Sequence, residues 1–147
     1  MSIYKHQILD HYKNPRNFGK LKDADVVIKE TNASCGDETK IYIKFSSATS
    51  SQLPAASKVK EIKFKGTGCA VSMAAASMLT EYIKGKKASE ILKLDKDDMF
   101  KLLGIKVGPG RVRCATLALE AVKKGINQAR PGKSTGQAWK HFYEKDK

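Results

Sequence analysis

The sequence predicts an α+β fold: a three-stranded antiparallel sheet with helices packed on one face. Three observations lead there. Every strand-like stretch falls before residue 66, and every long helix-like stretch except one falls after it. The strand-like stretches follow one another with no long helix between them, so a meander is the simplest sheet. The apolar period then changes from two to that of a helix, which leaves the helices to cover one side of the sheet.

The elements follow in order. Ile3 to Asn14 reads as an amphipathic helix, with Ile8, Leu9 and Tyr12 at helical spacing and Asn14-Pro15 as its stop. Asn17-Phe18-Gly19 reads as a turn, and Val26-Val27-Ile28 opens the first strand. Ile41, Ile43 and Phe45 alternate with Tyr42 and Lys44, as do Ile62 and Phe64 with Lys63 and Lys65. The Ser- and Ala-rich stretch from Ser46 to Ser57 connects these two strands. Cys69 to Lys84 is a helix ended by Gly85, and Ser89 to Leu92 a short one. Asp95 caps a further helix that runs to Leu103, with Asp97 and Asp98 in its first turn. A Gly-rich loop to Gly110 precedes a helix from Val112 to Ile126, whose apolar side is Leu117, Ala118, Ala121 and Val122. Thr135 to Tyr143 closes the chain as an amphipathic segment. No repeat or composition break divides residues 1–147, so a single domain is expected.

Composition narrows the function. No apolar run nears the roughly 20 residues that span a bilayer, and the N-terminus lacks a signal peptide's apolar stretch, which makes the cytoplasm the default. The net charge of +13 favours acidic partners. Scattered lysines and few aromatics argue against nucleic acid and for a solvated lysine-rich surface. A basic nucleic-acid-binding or zinc-stabilised domain is the reading that charge alone supports.

The chemistry sits at three cysteines. Cys35 lies in the polar turn Ser34-Cys35-Gly36-Asp37. Cys69 follows Gly66-Thr67-Gly68 and opens a helix. Cys114 follows Arg111-Val112-Arg113 and also opens a helix. Helix N-termini and neighbouring guanidinium groups favour thiolates, the form that binds metal and attacks sulfur. The expectation is one convergent centre of Cys35, Cys69 and Cys114, with Asp37 as a fourth ligand or a turn cap. No CxxC or HxxxH is present, so the fold has to assemble the ligands. His11 is expected to be a structural hydrogen-bonding residue, and His6 and His141 to be exposed.

Several blocks, in order, resemble one family. Asp10-His11-Tyr12-Lys13-Asn14-Pro15-Arg16-Asn17-Phe18-Gly19 is similar to its DHYxNPRNxG element, and Cys35-Gly36-Asp37 to its CGD. The segment from Gly66-Thr67-Gly68-Cys69 to Lys86 resembles its second-cysteine helix, and Arg113-Cys114-Ala115-Thr116-Leu117-Ala118 its third. The family is that of the U-type iron–sulfur cluster assembly scaffolds: IscU, the N-terminal domain of NifU, and SufU. The resemblance implies a SufE/NifU-like fold. It also implies a scaffold that takes persulfide sulfur from a cysteine desulfurase, takes iron, and builds a transient [2Fe–2S] cluster on Cys35, Cys69 and Cys114. The cluster would then pass to apo iron–sulfur proteins. Cys35 or Cys114 would be the first persulfide acceptor, Arg113 would stabilise thiolate charge, and Asp37 would complete the metal set. Zn²⁺ suits the same ligands in the isolated protein. A monomer or weak homodimer is expected.

Two departures bear on this. IscU-like members carry His where Arg113 stands, and arginine is no ordinary ligand. That position is more like SufU, so the alternative is a zinc-dependent SufU-like sulfurtransferase that accepts sulfur from a cysteine desulfurase. The compact separation of Cys69 and Cys114 is instead that of IscU and NifU, without the insertion of SufU. Where IscU has its chaperone-binding LPPVK, this chain reads Val107-Gly108-Pro109-Gly110-Arg111, which speaks against dependence on a dedicated chaperone.

Overall fold

A computed structural model of the chain describes residues 3–32, 36–46, 57–105 and 107–129. Cys35, most of the Ser46–Ser57 connection and the expected Thr135–Tyr143 segment, with His141, lie outside them. Helix α1 (Ile3–Lys13) precedes three strands, β1 (Val26–Asn32), β2 (Asp37–Phe45) and β3 (Val59–Thr67). Helices α2 (Ala70–Ile83), α3 (Ala88–Ile91), α4 (Lys96–Leu103) and α5 (Val112–Ala129) follow, with a 3-10 turn at Pro109–Arg111 ahead of α5.

The expected meander is present. The strands lie in the order β1-β2-β3, both pairs antiparallel. The register sets Val26, Ile43 and Ile62 in one row, and Ile28, Ile41 and Phe64 in the next. Because side chains alternate across a strand, both rows face one side. All six residues are buried. Helix α5 covers this side so closely that a Cβ at Gly125 would stand 2.8 Å from Val26 Cγ1. Leu79 and Ile83 of α2 and Leu117 and Val122 of α5 are also buried. Burying one such side chain contributes about 1.5–3 kcal/mol, so this layer dominates the stability of the fold.

The β3 edge is not left open. Phe64 donates its N–H to the Asn17 carbonyl at 2.9 Å, and Gly19 donates to the Phe64 carbonyl at 2.8 Å. The Phe18 ring meets the Phe64 ring edge to face, 5.3 Å between centroids.

Helix α1 differs from its sequence pattern. Ile8 and His11 turn inward, whereas Leu9 and Tyr12 are exposed. A polar network selects that face. His11 Nδ1 and Ser77 Oγ are 2.7 Å apart, and the Arg16 N–H donates to the same oxygen at 2.8 Å. His11 thus has the structural role expected of it, pinning the Asn14-Pro15-Arg16 stop against α2. His6 is exposed. On α2, Tyr82 is exposed rather than part of the apolar face.

Other differences are at element ends. β2 starts at Asp37, so Asp37 is a strand residue paired with Asn32, not a turn residue. Asp95 caps α4 as expected: its carboxylate accepts the Asp98 N–H at 3.1 Å, and Asp98 accepts the Asp95 N–H at 2.9 Å. Among the described residues, no helix is long and apolar enough to cross a membrane.

Candidate metal centre

Three chain segments end at one corner of the sheet. β2 begins there with Asp37, β3 leaves there through Gly68 into α2, and α5 begins there. Cys69 is the residue that caps α2, with extended backbone (φ −73°, ψ 172°). Cys114 lies in the first turn of α5. Metal-ligating atoms of Asp37, Cys69 and Cys114 all lie within 4.8 Å of one another. Neither Cys69 nor Cys114 is in a disulfide. Cys114 is buried, at 1% exposure, so this part of the centre is drier than the sequence suggests. Cys69 is partly exposed.

Local geometry holds the corner. Gly36, at φ +71°, supplies the left-handed turn that starts β2. The Cys69 N–H, one of the unpaired donors of a helix N-terminus, donates to Asp37 Oδ1 at 3.1 Å. Gly68 makes this approach feasible. A Cβ there would stand 2.7 Å from Asp37 Oδ1 and would collide with Ser72 Oγ.

Two observations test whether a metal fits. Asp37 is 2% exposed, yet its second carboxylate oxygen, Oδ2, is buried without a hydrogen-bond partner. A buried carboxylate oxygen is costly unless it is paired or ligates a cation. The donor set, two sulfurs and one oxygen, suits a soft tetrahedral ion or an iron–sulfur cluster. The residues fit.

The Cys69 thiol is held below its ordinary pKa. Burial is the largest single influence and raises its pKa, but the net shift is downward. The Ser72 N–H, the Cys114 thiol and the Ser72 hydroxyl outweigh burial, against a smaller opposing effect of the Asp37 charge. Ser72 is a residue beside the centre that the sequence did not single out. Its hydroxyl donates to the Cys69 carbonyl at 3.1 Å, and its signal was its place three residues after the capping cysteine.

The other expected residues lie nearby. Arg113 is exposed. Its Nη2 donates to the Thr31 carbonyl at 3.1 Å, and its Nε stands 3.8 Å from Glu120. The guanidinium therefore ties the start of α5 to the end of β1, just ahead of the stretch that carries Cys35. Arg111 is exposed in the 3-10 turn.

A family profile described as the NifU-like N terminal domain matches residues 3–134. The chain belongs to that family. Among relatives of this NifU-like chain, one is 34% identical over 148 residues, covering 89% of this chain and 94% of its own length. It is the zinc-dependent sulfurtransferase SufU of Bacillus subtilis. An iron–sulfur cluster assembly scaffold protein IscU of Archaeoglobus fulgidus is 37% identical over 124 residues, covering 84% and 74% of the two chains. A solved structure from Fervidobacterium islandicum, described as a candidate scaffold of the SUF system, superposes with a TM-score of 0.66. It has 27% identity over 86% of this chain and 96% of that one. The expected fold class and family are thus both found.

Proposed function

We propose that this protein is a scaffold for iron–sulfur cluster assembly. The observation that carries the reading is the convergence of Asp37, Cys69 and Cys114 donor atoms within 4.8 Å at one corner of the sheet. Cys35, two residues before Asp37, completes the thiolate set. The cargo is a transient [2Fe–2S] cluster built on Cys35, Cys69 and Cys114, with Asp37 as a weaker oxygen donor. Three thiolates and a carboxylate hold a cluster less firmly than four thiolates, which suits a carrier that must release it.

Sulfur arrives from a cysteine desulfurase as a persulfide. A scaffold thiolate, at Cys35 or Cys114, attacks the terminal sulfur. The new S–S bond forms as the old one breaks, and the desulfurase thiolate departs. Reducing that sulfane sulfur to sulfide takes two electrons from an external donor. Arg113, beside Cys114 and bonded to the strand that leads to Cys35, offsets the negative charge of the acceptor. The finished cluster passes to apo iron–sulfur proteins, and the chain acts as a monomer or weak homodimer in the cytoplasm.

One alternative has its own support. The SufU relative is named a zinc-dependent sulfurtransferase, and its match extends along 89% of this chain. In that reading Zn²⁺ is held by Cys35, Asp37, Cys69 and Cys114, where it lowers thiol pKa and fixes the site. The product is the sulfurated protein and not a cluster.

Anaerobic reconstitution with ferrous iron, cysteine and a desulfurase separates the two. A stoichiometric [2Fe–2S] spectrum, lost in Cys35→Ala, Cys69→Ala and Cys114→Ala, is the expected result. Retained zinc with faster desulfurase turnover and no cluster would replace the scaffold by the sulfurtransferase.

A further inference from the structure

The buried face of β2 changes character toward the cysteine corner. Alternate residues of a strand share a side, so Ile43 and Ile41 are followed on that face by Thr39 and then Asp37. Thr39 is 5% exposed and Asp37 2%. The register sets Thr39 between Glu30 of β1 and Gly66 of β3, and sets Asp37 beside Asn32. The apolar core rows thus give way to polar ones where the centre begins.

Two oxygens of this stretch lack what burial demands. Among the described residues, Thr39 Oγ1 and Asp37 Oδ2 are each buried with no hydrogen-bond partner. Leaving such groups unpaired is costly. The neighbours of Thr39 across the sheet do not relieve it. Glu30 is ion-paired with Lys124 at 2.5 Å. Gly66 has no side chain, and a Cβ there would collide with the Glu38 carbonyl oxygen.

Along the strand the next side chain on the same face is Asp37, whose Oδ1 already accepts the Cys69 N–H at 3.1 Å. Two residues of strand span roughly 6.6 Å. That span suits one intervening water, with two O–H···O legs of about 2.7–2.8 Å each. Buried waters are found where such polar groups would otherwise go unpaired.

We propose that Thr39 is a positioning residue of the metal centre: its hydroxyl holds one buried water, which donates to Asp37 Oδ2 and fixes the direction of that oxygen. The proposal rests on the carrier reading, in which Oδ2 is a donor to the cation. A carboxylate oxygen has two lone pairs. The water takes one on Oδ2 and leaves the other for the cation. With Oδ1 held by the Cys69 N–H, the carboxylate then binds through one oxygen in a set orientation. Outer partners of this kind orient a metal-binding group and carry part of its affinity.

The test uses the full chain, with zinc affinity read by competition against a chromophoric chelator. Thr39→Val keeps the shape of the side chain, removes the hydroxyl and should lower the affinity about tenfold. Thr39→Ser retains the hydroxyl and should restore most of it. In an Asp37→Asn background Thr39→Val should cost nothing further, because the oxygen that Thr39 orients is gone. Cross-relaxation between the Thr39 methyl protons and a long-lived water is expected in the zinc-loaded parent chain. Unchanged affinity in Thr39→Val, equal loss in Thr39→Ser, additive losses with Asp37→Asn, or no such water would each overturn the proposal. The parent chain keeps the two readings apart. Zinc bound by the parent with no effect of Thr39→Val removes the role of Thr39 alone, and a parent that binds neither zinc nor iron removes the carrier reading.

Discussion

Asp37 Oδ1 accepts the Cys69 N–H at 3.1 Å while Asp37 Oδ2 stays buried without a hydrogen-bond partner. The two oxygens of one carboxylate thus have different settings that a substitution can separate. Asparagine can still accept the N–H through its amide oxygen but carries no charge for a cation. Asp37→Asn should therefore stay folded and lose zinc affinity by at least about tenfold. Competition against a chromophoric chelator measures this. Unchanged affinity would leave Asp37 as a helix cap and nothing more.

Gly68 and Gly36 should respond differently to alanine. At Gly68 the added methyl meets Asp37 Oδ1 and Ser72 Oγ, both part of the centre. A loss of about 1–3 kcal/mol is expected there, together with weaker zinc binding. Gly36 has open space around its Cβ position, and only its left-handed φ opposes alanine, at about 1–2 kcal/mol. Urea unfolding with and without zinc compares them. Equal zinc affinity in Gly68→Ala and the parent chain would refute the close-approach argument.

Arg113→Gln removes the guanidinium that joins α5 to the Thr31 carbonyl. The bond is exposed, so the expected loss is only about 1 kcal/mol. The larger effect should be local, as faster amide hydrogen exchange at the end of β1. Alkylation of Cys114 at neutral pH reads the charge separately. Slower alkylation in Arg113→Gln, restored in Arg113→Lys, marks charge at the thiolate. No change in alkylation marks a purely mechanical clamp.

His11 gives the fold a pH dependence. Its pKa is held below 6.5, first by burial and then by the Arg16 charge, against weaker opposing pulls from Glu81 and Asp10. The unfolded chain therefore binds this proton more readily than the folded one. The stability gained from neutral His11 is complete above pH 6.5 and is lost as pH falls through the depressed folded value. The slope is at most about 1.4 kcal/mol per pH unit. His11→Asn should flatten the stability profile of the metal-free protein below about pH 6.5. A profile that keeps its slope would assign the effect to another group.

Strand alternation made the meander legible because Ile41, Ile43, Ile62 and Phe64 are strong strand formers facing a core. Asp37, Glu38 and Thr39 extend β2 with no such pattern. Pairing with Asn32, Thr31 and Glu30 on one side and with Thr67 and Gly66 on the other makes them a strand. Two cysteines and the aspartate were legible as a centre from their Gly, Arg and helix-start settings. Their convergence was expected from the assumed topology and not from their spacing, because it depends on which strand ends meet. The inward face of α1 was misjudged because Tyr12 outranks His11 in hydrophobicity, whereas burial here follows the Ser77 hydroxyl.

The bonds from Asn17 and Gly19 to Phe64 have a consequence for life in a crowded solution. A sheet of three strands has two rims, each a template for pairing with another molecule. Here the β3 rim already carries a short piece of its own chain at Phe64, and on the β1 side Arg113 occupies the Thr31 carbonyl. A second copy meets guarded rims and is turned away from stacking strand on strand. Such a protein can present a reactive corner to many visitors at high concentration without polymerising through its own sheet.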